Sequence, residues 1–405
     1  MPLQKVIREA AEHLRNREFV EIFAHHDVDG IAAAAILCHA LHRAGGGFRV
    51  RIVSDISPDL IKESPHAVLC DIGSGMTDLP ESAIVIDHHV PHFTAGLHVN
   101  PRLSGIDGAR QLSAAGMAYL VAREMGENTD LVGLAVLGIL GDGQEIEGKN
   151  REIVHEGIAR QYLSTSFGFL LPGRDLVERF LLAIDPYLEG ISGNEDRCRN
   201  IVDACTESGE INEEALVSRI LLEISSRGSL HALQGVFGTR YTLEREAVSD
   251  AHTLACLVDA CGKMGMGGLG IELCLRYPGA EPEAWALMAA YRGRVIETIR
   301  QVRRIDEISP WFEVPDPQTA GNVADALAFD LVQDRPVAVF SVDQGMCRVS
   351  LRTPEQVSFN LEPVVREVAA ECGGCGGGHE TRAGAVVGMG QIECFKNGLR
   401  KAMTG

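Results

Sequence analysis

Three short apolar segments of this chain end in aspartate or histidine, and this pattern restricts the fold more than any other feature. The runs FVEIFA, AVLC and AIVI begin at residues 19, 67 and 83, and they are followed by HHDVDG, DIG and DHH. Apolar runs of this length bounded by turn residues are typical of β-strands. Helical patterns such as IAAAAILCHALHRAG lie between strand-like runs. The sequence therefore predicts an α/β fold with a doubly wound, mainly parallel sheet covered by helices on both faces.

The residues after these strands are candidate ligands for metal ions. In open parallel sheets, ligands bind beyond the carboxyl ends of the strands. Asp142 joins this edge because it follows the apolar helix LVGLAVLGILG. The crowded carboxylates would repel one another, and divalent cations would relieve the repulsion. A mixture of carboxylate and imidazole suits manganese, and paired ions are typical of phosphoryl transfer. The predicted residues at this edge are His25, Asp27, Asp29, Asp71, Asp87, His88, His89 and Asp142.

The length and patterning of the chain predict three regions. A chain of 405 residues is too long for one typical domain. Residues 1–160 contain the strand-like runs of the predicted sheet, and residues 161–334 are largely helical, with a proline-rich linker near their end. Residues 335–405 predict a small α/β domain that begins with a β-hairpin. We expect this C-terminal domain to close a cleft with the first one.

Composition excludes several classes of protein. The net charge of −19 argues against indiscriminate binding to long nucleic acids, which needs a basic surface. The eleven cysteines lie mostly in apolar segments, which favours reduced thiols in a cytoplasmic protein over a disulfide framework. The N-terminus does not have the pattern of a leader peptide, and the longest apolar run is too short to cross a bilayer. We expect no membrane partner.

The stretch CGGCGGGHETRAG, residues 372–384, allows two interpretations. Cys372 and Cys375 have the spacing of half a zinc site. The glycines behind them could instead form a backbone cradle for an anion, because successive N–H groups without side chains approach a phosphate closely. No second ligand pair lies nearby, and Cys394 lacks a partner at zinc-site spacing. We therefore predict an anion-binding stretch without structural zinc, in which a redox-sensitive cysteine pair stays an open alternative.

The motifs of this chain resemble those of the DHH phosphoesterases. HHDVDG (25–30), CDIG (70–73), DHH (87–89) and LGDG (140–143) occur in the order of the four motifs of that family. SLRT (350–353) and GGGHETRAGA (376–385) are similar to the DHH-associated C-terminal domain. Together with ACGKMGMGGLG in the middle, the layout most resembles the archaeal RecJ-like single-strand exonucleases. The resemblance implies a hydrolase that acts in DNA repair or replication.

The resemblance also implies a role for each motif residue. His25, Asp27 and Asp71 would hold one Mn²⁺, with His26 as the intervening residue of the motif. The second Mn²⁺ would share Asp71, and Mg²⁺ or Co²⁺ are possible substitutes. Asp87 would orient the histidine that follows it, and His89 would face the scissile phosphate. The other ligands of the second ion would be Asp29, His88 and Asp142.

The C-terminal domain is predicted to bind the substrate. Its glycines would offer backbone N–H groups, its histidine would donate to a phosphate or terminal group, and its arginines would add charge-assisted contacts. For Arg382 a surface role is an equal alternative. The predicted substrate-binding residues are Arg352, Gly376, Gly377, Gly378, His379 and Arg382.

Three functions remain open from the sequence. The first is an exonuclease that trims single-stranded DNA or RNA from an end. The second is a phosphodiesterase for short oligonucleotides or cyclic dinucleotides, similar to the nanoRNase branch of the superfamily. The third is a replisome scaffold that binds GINS-type partners, similar to the RecJ-derived component of the eukaryotic replicative helicase. The intact metal motifs count against a pure scaffold.

Overall fold

The chain folds into two compact units. The computed structural model describes residues 2–54, 56, 58–64, 66–92, 96–207, 210–225, 229–354 and 356–404. Residues 1–168 and 239–288 form unit 1, and residues 169–238 and 289–405 form unit 2, so the chain passes between the units three times. Residues 161–334, which we predicted as one helical middle region, are therefore divided between the two units.

The first 170 residues mix helices and strands, as expected for an α/β fold. In chain order they are α1 (Leu3–Arg15), β1 (Phe19–His25), α2 (Val28–Arg43), β2 (Gly47–Val53), α3 (Pro58–Lys62), β3 (Ala67–Cys70), β4 (Ile84–Ile86), β5 (Leu97–Val99), α4 (Ala114–Met125), α5 (Val132–Gly141), α6 (Gly148–Ala159) and β6 (Leu163–Phe169).

The remaining elements are mostly helices at first, and most of the strands of the C-terminal sheet follow them. In chain order they are α7 (Leu176–Leu181), α8 (Glu195–Asp203), β7 (Thr206–Glu207), β8 (Glu210–Ile211), α9 (Glu213–Ser225), α10 (Leu230–Gly235), β9 (Phe237–Leu243), α11 (Ala251–Lys263), α12 (Gly267–Cys274), α13 (Ala280–Gln301), β10 (Arg303–Arg304), β11 (Trp311–Glu313), α14 (Ala320–Asp325), a π-helical turn (Ala326–Val332), β12 (Val337–Asp343), β13 (Met346–Arg352), α15 (Leu361–Glu371), β14 (Cys375–Gly378), β15 (Arg382–Gly388) and α16 (Ile392–Thr404).

The main sheet of unit 1 confirms the predicted parallel sheet. Its strand order is β2-β1-β3-β4-β5, and every neighbouring pair is parallel. The register places Ala24 beside Cys70, Cys70 beside Ile86, and Ile86 beside Val99. These residues form one row across the sheet, and the predicted site residues come directly after it. The pairing register therefore brings separate motifs to the same edge.

Helix α2 starts at this edge, and one of the predicted site residues caps its N-terminus. Asp27 is its N-cap, and its carboxylate accepts a hydrogen bond of 3.0 Å from the backbone N–H of Gly30. Nearly all of α2 is buried, which the alanine run Ala32–Ala35 allows because small side chains permit close packing of neighbouring elements. The motif residues consequently lie on a rigid strand-to-helix turn.

Unit 2 contains a six-stranded sheet with the order β10-β11-β12-β13-β15-β14. The predicted β-hairpin is confirmed as β12 and β13, joined by Gln344 and Gly345, whose φ values are 50° and 80°. Two consecutive positive φ values are the geometry that a tight hairpin with right-handed strand twist requires. A buried cluster that includes Trp311 and Phe395 forms the core of this sheet and its helices.

Two details of unit 2 differ from the sequence prediction. Strands β10 and β11 belong to the C-terminal sheet although they precede residue 335, because the apolar pair Trp311 and Phe312 extends the sheet beside β12. The glycine stretch is not a loop, since Cys375–Gly378 forms an edge strand paired with β15.

In the parts of the chain that the structure describes, no helix is both long and apolar enough to cross a membrane.

Candidate metal centre

Asp71 is the central residue of the charged group at the edge of the parallel sheet. It follows β3 directly, is 2% exposed and has a φ of 57°. Both of its carboxylate oxygens are buried and accept no hydrogen bond from the residues that the structure describes. Aspartate tolerates this left-handed backbone more readily than most residues, but a buried carboxylate without hydrogen bonds is costly. A bound cation would remove this cost.

A first group of possible ligands consists of His25, Asp27 and Asp71. The Nδ1 atom of His25 lies 2.6 Å from Asp27 Oδ2 and 3.4 Å from Asp71 Oδ2. The ligand atoms of the group lie within 4.8 Å of one another, so a single ion could bind all three. The His26 ring lies edge-on to His25, at 4.4 Å between centroids. Among the described residues, His26 belongs to none of the possible metal-binding groups.

A second group consists of Asp29, His88 and Asp142. The Nε2 atom of His88 lies 3.1 Å from Asp142 Oδ2 and 3.9 Å from Asp29 Oδ2. It also lies 3.2 Å from Asp71 Oδ1. Asp71 therefore presents one oxygen to each group, as a carboxylate that bridges two ions must do. The oxygen Asp142 Oδ2 is buried and, like those of Asp71, has no hydrogen bond from the described residues.

Asp29 is held by the N-terminus of helix α4. Its oxygens accept hydrogen bonds of 2.6 and 2.8 Å from the backbone N–H groups of Ala114 and Ala115. These N–H groups belong to the first helical turn and have no partner within the helix, so an anionic side chain is favourable there. A Cβ atom on Gly138 of α5 would lie only 2.1 Å from Asp29 Oδ1, so this close packing requires glycine.

Asp87 orients His89 and also binds the loop that follows strand β3. Asp87 Oδ1 accepts hydrogen bonds from His89 Nδ1 at 2.8 Å and from the His89 backbone N–H at 3.1 Å. Its other oxygen accepts from the backbone N–H of Ser74 at 2.8 Å. The side chain of His89 is 40% exposed, whereas that of Asp87 is buried. His89 therefore faces solvent with a fixed ring orientation, and it can reach a ligand through Nε2.

Two residues that support His88 were missed by the sequence analysis. His88 Nδ1 lies 2.6 Å from the carbonyl oxygen of Gly108, which also accepts a hydrogen bond of 3.0 Å from Gln144 Nε2. This contact leaves Nε2 of the ring directed toward the carboxylates. Gln144 lies two residues after Asp142 and could have been suspected from that position. Gly108 lies in the loop before α4, and its sequence gives no such signal.

The electrostatics of the group favour cation binding. Burial, together with the charge of Asp71, raises the pKa of Asp29 to about 7. Burial and the charge of Asp29 likewise raise the pKa of Asp142 well above its ordinary value. Both shifts reflect the cost of placing several carboxylates in one buried space. A divalent cation would remove this cost and let all of them ionise.

The same carboxylates also raise the pKa values of the neighbouring histidines, against the effect of burial. Burial alone would lower the pKa of His25, but Asp27 and Asp71 raise it well above the ordinary value. For His88, the effect of burial on the pKa is likewise outweighed by Asp142 and Asp71. The metal-free site thus retains protons on its imidazoles, and these protons must leave when the nitrogen atoms bind a metal.

Mn²⁺ is expected to raise the melting temperature more at about pH 8 than at about pH 6. The raised pKa values of His25, His88 and Asp29 give the metal-free fold stability that is complete at low pH and lost as the pH rises through the folded-state pKa, about 7 for Asp29. The cation replaces these protons, so its stabilising effect grows with pH. Differential scanning fluorimetry measures the shift. A metal-induced shift that does not vary with pH would contradict this prediction.

The signature residues of the C-terminal domain lie in unit 2. Gly376, Gly377 and Gly378 are in edge strand β14, and His379 begins the turn to β15. The backbone N–H of His379 donates a hydrogen bond of 2.7 Å to the carbonyl of Arg382. A Cβ atom on Gly377 would meet nothing within 4 Å, so the backbone at this position is approachable from outside.

The two arginines of the prediction differ in exposure. Arg352 Nε and Arg382 Nε both donate to Asp325 Oδ1, at 2.6 and 3.0 Å. Arg352 is 13% exposed and also donates to two backbone carbonyls, whereas Arg382 is 42% exposed and its guanidinium lies 5.2 Å from the centre of the Phe329 ring. Arg352 therefore fixes Asp325, while Arg382 reaches the surface.

The cysteines of the glycine stretch are not arranged as the sequence analysis expected. Cys372 forms a disulfide with Cys394, at a Cα–Cα distance of 6.0 Å, and Cys375 is a free, exposed thiol. The predicted reduced state is wrong for this pair, and Cys394, which has no partner at zinc-site spacing, pairs with Cys372 instead. The pairing arises because the end of α15 and the first turn of α16 pack together over the sheet, a contact between residues 22 apart in the sequence.

The two ends of the chain match known families. Residues 20–139 match the DHH family, N-terminal domain, and residues 310–404 match the DHHA1 domain. An uncharacterised protein of Methanocaldococcus jannaschii is 26% identical over 97% of this chain and 95% of its own length. The single-stranded-DNA-specific exonuclease RecJ of Thermus thermophilus is 30% identical over 202 residues, which are 42% of this chain and 30% of RecJ.

Solved structures share the fold over nearly the whole chain. RecJ of Thermus thermophilus in complex with Mn²⁺ has a TM-score of 0.63 and 21% identity, covering 99% of this chain and 55% of RecJ. CDC45 of Entamoeba histolytica has a TM-score of 0.64 and 13% identity, covering 99% of both chains. Residues 20–139 and 310–404 therefore carry a DHH-family domain and a DHHA1 domain, and the chain resembles RecJ in fold, although it spans only about half of the RecJ structure.

Proposed function

We propose that this DHH-family protein is a manganese-dependent phosphodiesterase that removes nucleotides from an end of single-stranded DNA or RNA. The observation that carries the proposal is the carboxylate of Asp71, which is buried without hydrogen bonds and lies between two groups of histidine and aspartate. RecJ of Thermus thermophilus, a single-stranded-DNA-specific exonuclease whose structure was solved with Mn²⁺, supports both the substrate and the cation.

The donor set fits two divalent cations. His25, Asp27 and Asp71 would hold one ion, and Asp71 would share the second with Asp29, His88 and Asp142, with Mg²⁺ or Co²⁺ as substitutes for Mn²⁺. Such ions lower the pKa of bound water and stabilise charge that develops on phosphorus. The buried acceptors without hydrogen bonds support this assignment, because the carboxylates outnumber the histidines around them and a divalent cation would balance the excess negative charge.

The other residues of the centre would bind and orient the substrate. Asp87 fixes the His89 ring through Nδ1, and in the doubly protonated ring the Nε2 atom would donate a hydrogen bond to the scissile phosphate. Burial alone would lower the pKa of His89, but Asp87 and Asp71 raise it, which favours the doubly protonated ring. In unit 2, Gly376–Gly378, His379 and Arg382 would bind phosphates of the strand.

Incubation of the protein with Mn²⁺ and end-labelled oligonucleotides tests the function. We expect stepwise shortening of single-stranded DNA or RNA and no cleavage within a duplex. The label position reports which end is attacked. Cleavage restricted to oligomers of about two to five residues would replace the proposal with the nanoRNase-like alternative. Activity that persists in the presence of a chelator would contradict a metal-dependent mechanism.

A replisome scaffold is the second candidate. The full-length match to the fold of CDC45 favours it, since that match covers 99% of both chains. The GINS-type partners of this hypothesis can be tested by retention of purified GINS on the immobilised protein. Retention without any hydrolysis would support the scaffold, whereas hydrolysis that is lost on removal of Mn²⁺ supports the nuclease. The two roles are separable because the metal centre is not needed for a scaffold.

A further inference from the structure

A second polar cluster lies in unit 2 and includes two residues outside the ranges that match the family domains. The imidazole of His231 lies between two carboxylates: Nδ1 is 3.0 Å from Asp330 Oδ1, and Nε2 is 3.3 Å from Asp185 Oδ1. Asp185 and His231 belong to residues 169–238 and were not singled out by the sequence analysis. Both ring nitrogens are thus occupied, so the ring cannot rotate without losing one of these contacts.

The inner carboxylate of this cluster is rigidly held. Asp330 is 4% exposed and accepts hydrogen bonds from Ser229 Oγ at 2.6 Å and from the Tyr187 backbone N–H at 2.8 Å, in addition to His231. It therefore has three donors from three positions in the chain. A buried carboxylate with this many partners fixes the ring that it contacts. Asp330 therefore fixes the His231 ring, and the ring in turn contacts Asp185.

Phe329 connects this cluster with the signature arginine. The His231 ring lies 5.4 Å from the Phe329 ring, and the Arg382 guanidinium lies 5.2 Å from the centre of the same ring. Phe329 and Asp330 are adjacent in the π-helical turn Ala326–Val332. Asp325, just before this turn, accepts the hydrogen bond of Arg382. One turn of the chain thus positions both Arg382 and His231.

The outer groups of the cluster reach the surface while their supports are buried. The side chain of Asp185 is 45% exposed, that of Arg382 is 42% exposed and that of His231 is 33% exposed, whereas that of Asp330 is 3% exposed. Solvent-exposed charges contribute little to stability, so stability does not explain why the buried Asp330 fixes these groups. Fixed side chains at the surface are typical of a ligand-binding site. Burial alone would raise the pKa of Asp185, but the hydrogen bond from His231 and the charge of Arg382 lower it, so the carboxylate is ionised.

We propose that Arg382 and Asp185 form a ribonucleotide-recognition site, in which Arg382 contacts a phosphate and Asp185 accepts a hydrogen bond from the 2′-hydroxyl of the same nucleotide. This inference rests on the proposed nuclease function and names RNA as the preferred substrate class. A guanidinium suits phosphate, and an ionised carboxylate suits a hydroxyl donor. The 2′-hydroxyl is the group that distinguishes RNA from DNA. His231 is a positioning residue, because both of its nitrogens are engaged.

Binding to a protein that cannot hydrolyse its ligand tests this site. The full chain with Asp71→Asn would be titrated with a 5′-phosphorylated ribo-oligonucleotide, with its deoxy counterpart and with inorganic phosphate. Adding Asp185→Asn is expected to weaken binding of the ribo-oligonucleotide by about tenfold and that of the deoxy-oligonucleotide by less than about twofold. Asp203→Asn, an exposed residue at the end of α8, is the matched control and should change neither.

His231→Gln provides a second measurement. It is expected to reduce the ratio of ribo to deoxy affinity, a quantity that loss of stability alone would not change. An equal loss for both sugars, or binding of inorganic phosphate with the same dependence on Asp185, would overturn the proposal. Asp185-dependent binding of RNA without hydrolysis by the wild type would support this site and reject the nuclease. Hydrolysis of both sugars with unchanged selectivity in Asp185→Asn would reject this site alone.

Discussion

Asp71→Asn is expected to lower kcat/KM for oligonucleotide hydrolysis by about 10⁴-fold, which corresponds to about 5.5 kcal/mol of transition-state stabilisation. Asp71 presents Oδ2 to His25 and Oδ1 to His88, which belong to different groups of possible ligands. An asparagine side chain replaces one of these oxygens with an N–H donor and removes the negative charge, so it cannot bridge two cations. The effect should be large because, in the proposed two-ion centre, both ions would depend on the same carboxylate.

The fold is expected to survive this substitution. Asparagine tolerates the left-handed backbone of residue 71, whose φ is 57°. Asp71→Asn relieves repulsion on Asp29 and Asp142 but also removes an ion-pair partner of His25 and His88, so the melting temperature of the metal-free protein should change little, while the shift caused by Mn²⁺ should be lost. Asp78→Asn, in an exposed position of the following loop, is the control and should keep full activity. Wild-type turnover by Asp71→Asn would reject the shared-ligand assignment.

The edge of the parallel sheet was predictable because its residues follow a general rule. Asp71 and Asp87 come directly after short buried strands, and parallel pairing aligns the ends of such strands regardless of the details of side-chain packing. Asp142 was expected at the same edge because it follows the apolar helix α5, and its Oδ2 atom lies 3.1 Å from His88 Nε2. Local sequence therefore contained the positions of the charged residues.

The supporting contacts were not predictable because they come from elements that are distant in sequence. Asp29 is held by backbone N–H groups of Ala114 and Ala115, and a backbone N–H has no sequence signature. The carbonyl of Gly108 orients His88 for the same kind of reason. In unit 2, the contact between His231 and Asp330 joins residues 99 positions apart. Such pairs are determined by tertiary packing, which a single sequence does not specify.

The pairing of the cysteines was likewise not predictable from local sequence. Spacing suggested that Cys372 would act with Cys375, three residues away, because local motifs are the only pairs that a sequence displays. The fold instead places Cys375 in strand β14 and Cys372 at the end of α15, next to Cys394. The strand interrupts the local motif, and packing of two helices supplies the partner.

Gly262→Ala is expected to destabilise the fold by about 3 kcal/mol or more and to weaken Mn²⁺ binding. Gly262 lies near the end of α11, in the stretch ACGKMGMGGLG, and a Cβ atom there would lie 1.6 Å from the carbonyl oxygen of His26. No side-chain rotation can relieve a clash with backbone, so either α11 or the motif loop must move. His25 and Asp27 flank His26, so a displaced loop carries two possible metal ligands with it.

Gly268→Ala is the matched control for this prediction. Gly268 lies six residues further along, in helix α12, and a Cβ atom there would meet nothing within 4 Å. Alanine has a higher helix propensity than glycine, so this variant should be more stable by about 0.5–1 kcal/mol. Urea unfolding of both variants, with and without Mn²⁺, separates the two effects. If Gly262→Ala unfolds at the wild-type urea concentration and keeps the wild-type Mn²⁺ shift, then α11 does not hold the motif loop in place. The stretch ACGKMGMGGLG would then have no part in positioning His25 and Asp27.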